Sequence, residues 1–203
     1  MDPQKSHYKQ ALIHLQKDPV MRDLIGQYAS PRLTRNNSGI FLDLVETIIN
    51  QQLSGKAADA ILERFKKIFN GRIKPDYVLE ISDQKLREAG LSFPKIRYIK
   101  GLCEKIVNQE LDIYGLSKLS DEEVIKKLTS IKGIGPWSAE MMLIFSLKRP
   151  DVFSVGDLGL CKAVSKLYRV DRKDKNKIEK ISRAWIPYRS TACWYLWRSL
   201  ENG

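Results

Sequence analysis

Residues 131–139 read Ile131-Lys132-Gly133-Ile134-Gly135-Pro136-Trp137-Ser138-Ala139, and they lie between two stretches of helical periodicity. Glycine tolerates positive φ and lets a ligand approach the backbone closely, and here two glycines stand one residue apart. Pro136 suits the first turn of a following helix. Ile131 and Ile134 can pin the turn into a core. Amides exposed at a helix N-terminus form an anion site, and Lys132 adds a charge beside it. The stretch predicts two helices joined by a tight turn that can hold a phosphate. A phosphodiester fits such a turn, and contacts of that kind position a nucleic acid without reading its sequence. Taken alone, the same glycines also describe a plain turn between helices.

Working outward, the pattern is helical nearly throughout. Tyr8, Ala11, Leu12 and Leu15 follow i, i+3, i+4, i+7 spacing, as do Met21, Leu24, Ile25 and Tyr28, with a break at Asp18-Pro19. Ser30 to Gly39 reads as a polar connector. Phe41, Leu44, Val45, Ile48 and Ile49 mark an amphipathic helix that ends in Asn50-Gln51-Gln52-Leu53-Ser54-Gly55, and another helix begins near Lys56. A short helix runs from Ser82 to Gly90, and Pro94 opens a longer one. Ser120-Asp121-Glu122-Glu123 is a capping box. Met141 to Leu147 is apolar on all sides, which predicts a central helix. Leu160 to Tyr168 marks the next helix, Asp171 to Lys177 reads as a charged loop, and two more helices follow, broken at Pro187. No run alternates with period two. The expectation is an all-α fold of about ten helices.

Composition narrows the function. The chain has 203 residues, 43% hydrophobic and 29% charged, an ordinary globular balance for a domain that buries roughly 70% of its unfolded surface. Three cysteines without a CxxC, at 103, 161 and 193, and only two histidines, His7 and His14, leave almost no ligands for zinc or an iron–sulfur cluster. The same cysteine usage points to a reducing, intracellular setting. Apolar runs are too short to span a bilayer, and the start, MDPQKSHYKQ, has no apolar signal core. Thirty-five Lys and Arg against 24 Asp and Glu give a net charge of +11, the signature of a domain that meets a polyanion.

Some twenty residues beyond the glycine turn stands Pro150-Asp151-Val152-Phe153-Ser154-Val155-Gly156-Asp157-Leu158-Gly159-Leu160. The intervening helix is roughly 18 Å long at 1.5 Å per residue, and the loop after it is long enough to return toward the turn. Asp157 then falls where the next helix starts. That is the position of a capping aspartate, and it also suits a carboxylate kept ionised by a helix N-terminus.

The segment 131–139 resembles the helix-hairpin-helix motif. Together with the loop ending in Asp157, the chain resembles the helix-hairpin-helix–GPD superfamily of DNA base-excision glycosylases. Within that superfamily it is similar to the alkylation-repair branch, the DNA-3-methyladenine glycosylase II type. The resemblance rests on residues 48–58, 133–139, 150–160 and 185–197 and spans roughly residues 40 to 200. It implies a two-lobed helical fold with an active-site cleft between the lobes, one glycosylase domain over 1–203. One lobe would cover about 40–150, the hairpin included, and the other 1–39 plus 151–203.

The resemblance also implies roles. Asp157 falls on the family's essential aspartate. Trp137 stands where bifunctional members carry a lysine nucleophile; without that amine no Schiff base forms, so strand-cleaving lyase activity should be absent. Gln52 matches the wedge that fills the gap left by a flipped nucleotide, with Leu53 and Ser54 beside it, although Leu53 also reads as core. Lys132, Gly133, Ile134, Gly135 and Ser138 would contact DNA. Trp137, Trp197, Met141 and Tyr188 would line the base pocket, whose electron-rich rings attract a cationic base by cation–π stacking; Met141 replaces the tyrosine of some members. Trp185 reads mainly as core. No cofactor is required, although Na+ or K+ at the hairpin carbonyls of Ile131 and Ile134 is implied. The partner would be double-stranded DNA carrying alkylated bases, met by a monomer working with the chromosome, in bacterial cytoplasm or eukaryotic nucleus. The implied reaction is hydrolysis of the N-glycosidic bond of 3-methyladenine or 7-methylguanine, leaving an abasic site. The alternatives are a DNA-binding module that has lost catalysis and a glycosylase for another damaged base.

Overall fold

The computed structural model describes residues 3–28 and 39–201, and side chains from residue 8 onward. Every regular element among these residues is a helix. In chain order they are α1 Pro3–Leu15, α2 Pro19–Gln27, α3 Ile40–Asn50, α4 Gly55–Ile68, α5 Pro75–Glu80, α6 Asp83–Glu88, α7 Phe93–Val107, α8 Asp121–Thr129, α9 Pro136–Phe145, α10 Leu158–Tyr168, α11 Lys175–Ser182 and α12 Arg189–Arg198. Short 3-10 turns stand at Gly115–Lys118 and Arg183–Trp185. The all-α expectation holds, with more elements than the periodicity marked. α5 is a single proline-initiated turn and a half, too short to show a period. The charged loop expected over 171–177 is cut short, because Asp174 caps α11 by accepting from the Lys177 amide. The polar connector expected from Ser30 to Gly39 lies, Gly39 apart, outside the described residues. Among the described residues no helix is long and apolar enough to cross a membrane.

The chain divides into two compact units, one of residues 35–142 and one of residues 1–34 with 143–203, and it passes between them within α9. In the 35–142 unit, α3 packs on α4 and α7, and α5 and α6 pack on α7. α3 buries Leu44, Val45, Ile48 and Ile49, and α7 buries Ile96, Ile99, Leu102 and Cys103. Serine caps set where these helices begin. Ser92 accepts from the Lys95 amide, and Ser120 and Glu123 form the reciprocal capping box expected from the sequence.

In the other unit, α12 packs on α10 and α2, around Trp185, Tyr195, Leu160, Val164 and Leu196. A carboxylate organises this core. Asp18 caps α2 through Oδ1, which accepts from the amides of Val20 and Met21. Its Oδ2 accepts from the Tyr168 hydroxyl at 2.7 Å and from the Trp185 indole at 3.0 Å. The Asp18-Pro19 step is thus a helix cap and also the polar anchor of a wholly buried tryptophan. Burial, and then the bond to Asp18, push the Tyr168 phenol above its ordinary range. All three cysteines are buried and none is in a disulfide, and burial, reinforced by the Glu104 carboxylate, pushes the Cys103 thiol up to about 12.

Asp18→Ala should therefore cost more than a helix cap. It removes the α2 cap and strands the donors of Tyr168 and Trp185, a loss of about 3 kcal/mol. Denaturant titration of the variant against Asp18→Asn, which keeps one of the two acceptor oxygens and so either the cap or the two side-chain donors, measures it; equal stability of the two variants would contradict this account.

Candidate active site

The hairpin joins α8 to α9 within the 35–142 unit. The Ile131 amide donates to Leu128 O at 3.1 Å, and the Ile134 amide closes the turn on Ile131 O at 3.0 Å. Ile131 and Ile134 are buried, as their spacing predicts. The two glycines have different reasons. Gly133 has φ +95°, and a Cβ there would lie 2.4 Å from Tyr98 Cδ2, so both its backbone conformation and the ring beside it require glycine. Gly135 does not have positive φ, and a Cβ there would meet nothing within 4 Å. The expectation that both glycines relieve the backbone is corrected to Gly133 alone. Gly135 is exposed, and its lack of a side chain keeps the mouth of the hairpin open at the start of α9, where the Ala139 amide donates to Gly135 O. Lys132 and Trp137 are exposed, whereas Ser138 is buried.

Against the hairpin lies the turn after α3. Gln51 has φ −58° and ψ 130°, Gln52 has φ +56°, and the Leu53 amide donates to Asn50 O at 3.3 Å. This is a type II β-turn with glutamine where glycine is usual. Gln52, Leu53 and Ser54 are exposed; Leu53 is not core. The Gln51 side-chain amide donates to the Gly133 carbonyl, so turn and hairpin are joined directly. Lys95, at the start of α7, donates through Nζ to the carbonyls of Ile49 and Gln51, both at 2.8 Å.

In the other unit Asp157 caps α10 and is 8% exposed. Its Oδ1 accepts from the Leu160 amide at 2.7 Å and from the Trp197 indole at 3.1 Å. The indole stacks on the Phe145 ring, planes 25° apart, at a centroid distance of 5.5 Å. Gly159 makes room for it: a Cβ there would stand 3.1 Å from Asp157 Oδ1 and 3.3 Å from the Trp197 ring. Trp197, expected from the sequence as a pocket wall, is in the structure a positioning residue for the carboxylate.

The loop that delivers Asp157 is stitched down along its length. Asp151 pairs with Arg189 through both carboxylate oxygens, at 2.7 and 3.0 Å. Ser190 accepts from the Val152 amide and donates to Arg149 O, while its own amide donates to Pro150 O. Lys175 donates to Val155 O at 2.6 Å and to Cys161 Sγ at 3.0 Å. Sequence reasoning missed Arg189, Ser190, Lys175 and Lys95, because each acts on a backbone segment 20 to 46 residues away.

The remaining expected residues fall as follows. Met141 is buried on α9. Tyr188 lies beside His14, ring centroids 5.5 Å apart, with the rings tilted. Trp137, Met141 and the hairpin belong to the 35–142 unit; Asp157, Trp197 and Tyr188 belong to the other. Among the described residues no group of three or more His, Cys, Asp or Glu is placed to hold a metal ion.

The profile described as HhH-GPD superfamily base excision DNA repair protein matches residues 45–188. DNA-3-methyladenine glycosylase 1 of Schizosaccharomyces pombe is 36% identical over 180 residues, covering 87% of this chain and 78% of that protein. The crystal structure of a DNA-3-methyladenine glycosidase from Bacillus halodurans superposes with a TM-score of 0.82 at 39% identity, covering 92% of this chain and 86% of that one. The S. pombe 3-methyladenine DNA glycosylase Mag1, solved in complex with abasic DNA, superposes with a TM-score of 0.79 at 35% identity, covering 95% and 97%.

Two pairs of variants test the local geometry. Gly133→Ala should unfold the hairpin and lower the melting temperature, whereas Gly135→Ala should leave melting unchanged and weaken duplex binding; equal melting temperatures would refute the distinction. Trp197→Phe keeps a ring on Phe145 but removes the donor to Asp157, and should slow any reaction that uses this carboxylate by about 10- to 100-fold. Gly159→Ala should act on the same contact, so the double variant should be little worse than either single one. Rates whose losses simply multiply would place Gly159 elsewhere in the mechanism.

Proposed function

Since the chain belongs to the HhH-GPD superfamily of base excision DNA repair proteins, we propose that it is a monofunctional DNA glycosylase. In this reading it excises alkylated purines such as 3-methyladenine and 7-methylguanine from duplex DNA and leaves an abasic site. The observation that carries the reading is Asp157, a nearly buried carboxylate held on one oxygen by a helix amide and an indole. The relatives named above, and the Mag1 complex with abasic DNA, support the substrate class.

The mechanism follows from the residues. A base in a duplex must leave the stack before its glycosidic bond can be cut. Lys132 and the start of α9 bind the backbone phosphate, and Gln52 with Leu53, both exposed at the turn tip, fill the vacated space. The rings of Trp137 in one unit and of Trp197 in the other each suit a positively charged base, and Met141 and Tyr188 are candidates for contact with the same base. A cationic base is already a good leaving group, so the protein needs little acid. The positive charge passes from the base to the sugar as the bond breaks, and Asp157 stabilises it there or directs the water that completes hydrolysis. Position 137 carries an indole and no amine, so no imine to the sugar forms and the strand stays intact.

A potassium or sodium ion at the carbonyls of Ile131 and Ile134 fits this reading. The Ile131 oxygen accepts the Ile134 amide and keeps a second lone pair; such an ion would add positive charge beside the phosphate. The protein acts as a monomer, with the chromosome.

The test is base release from methylated duplex DNA by the wild type and Asp157→Asn side by side. The expected result is release of 3-methyladenine or 7-methylguanine by the wild type, with neither protein nicking the strand. Asp157→Asn should bind abasic duplex yet lose at least about 100-fold in rate. Binding without any release by the wild type would replace this reading with a non-catalytic module; release of only neutral damaged bases would replace the substrate class.

A further inference from the structure

Gln52 is a non-glycine residue at φ +56°, at the corner of a type II turn that favours glycine or asparagine. Such a conformation persists only where its surroundings over-determine it. Types I and II of this turn differ chiefly by a half-rotation of the central peptide, here the one joining Gln51 to Gln52. In type I the second corner residue returns to negative φ, and its side chain leaves in a different direction. The oxygen of that peptide is Gln51 O. It accepts from Lys95 Nζ at 2.8 Å, and the same ammonium holds Ile49 O in the last turn of α3 at 2.8 Å. The turn's own closing bond is long, 3.3 Å from the Leu53 amide to Asn50 O. The charge-assisted pair of contacts is the stronger restraint.

The geometry points to Lys95 as a positioning residue: its ammonium holds the Gln51–Gln52 peptide in the type II orientation and so aims the Gln52 side chain outward as the wedge. This rests on the reading of Gln52 and Leu53 as the groups that fill the vacated duplex. The same helix reaches the hairpin. Tyr98, three residues after Lys95, packs against Gly133, and Gln51 bonds the Gly133 carbonyl. Phosphate hairpin and wedge turn are therefore braced from one helix, so that a bound phosphate and an inserted wedge are fixed at a set separation. Burial lowers the pKa of the Lys95 ammonium, in keeping with a charge that has exchanged water for these two carbonyls.

The experiment compares wild type, Lys95→Met, Gln52→Asn, Lys95→Met/Gln52→Asn, Gln52→Ala and Leu53→Ala. Three quantities are read: single-turnover base release at saturating enzyme, fluorescence of 2-aminopurine placed beside the lesion as a report of unstacking, and affinity for undamaged duplex. Lys95→Met should slow release about 10- to 100-fold with loss of the unstacking signal, while undamaged duplex binding stays within about twofold because the phosphate contacts remain. Asparagine adopts left-handed φ more readily than glutamine. Measured against Gln52→Asn alone, which carries the cost of the shorter wedge, the double variant should therefore lose less than Lys95→Met loses against wild type, which repair of a merely destabilised fold would not do. Lys95→Met at wild-type rate while Gln52→Ala or Leu53→Ala is slow would overturn the role of Lys95. So would a loss in Lys95→Met that tracks the unfolded fraction and that Gln52→Asn leaves untouched. If both Gln52→Ala and Leu53→Ala release base at wild-type rate, the wedge reading itself fails and this role falls with it.

Discussion

A carboxylate that is nearly out of water must be given hydrogen bonds in return, because an unpaired buried charge costs more than any single contact can repay. Asp157 Oδ1 receives two, one from the first turn of α10 and one from the Trp197 indole, and much of its unit follows from that requirement. Gly159 must be small so that the indole can cross the helix start. Phe145 must supply a flat surface under it. The loop from 149 to 157 must arrive at one place, and Arg189, Ser190 and Lys175 tie it there through backbone groups. Most of these contacts leave the carboxyl group untouched; together they decide where it stands.

The 35–142 unit solves a different problem. Two of its tight turns carry left-handed backbone, at Gly133 with φ +95°, which glycine tolerates, and at Gln52 with φ +56°, which disfavours glutamine. Neither turn is buried enough to be held by apolar packing alone. α7 restrains both, with a ring against one and an ammonium under the other. Ile96, Ile99 and Leu102 root that helix in the core, so the restraint comes from the rigid part of the unit.

Much of this was legible in the sequence, for identifiable reasons. Helix class, the glycine hairpin, the capping box at Ser120 and the cap at Asp157 are local signals, carried by residues within four positions of one another. The motifs at 48–58, 133–139 and 150–160 pointed to the family on the same basis. What was not legible depends on distance along the chain. Nothing near Asp18 announces that Tyr168 and Trp185 will reach it from 150 and 167 residues away. Nothing near Lys95 marks it as the partner of Ile49 and Gln51, since a lysine one position after a proline reads as an ordinary solvated charge. Gly135 looked like Gly133, and only the backbone angles separate the conformational glycine from the one that keeps a surface open. Trp197 stood out as an aromatic near the end of the chain, but the direction of its N–H, toward Asp157, is a property of the fold.

The buried thiols have a consequence for durability. In the proposed setting the protein works where purine nitrogens are being methylated, and the same small electrophiles attack thiolates readily. All three cysteines are shielded from solvent, and the Cys103 thiol stays protonated far above physiological pH. Burial therefore makes Cys103 a poor target for the reagents that create the proposed substrate.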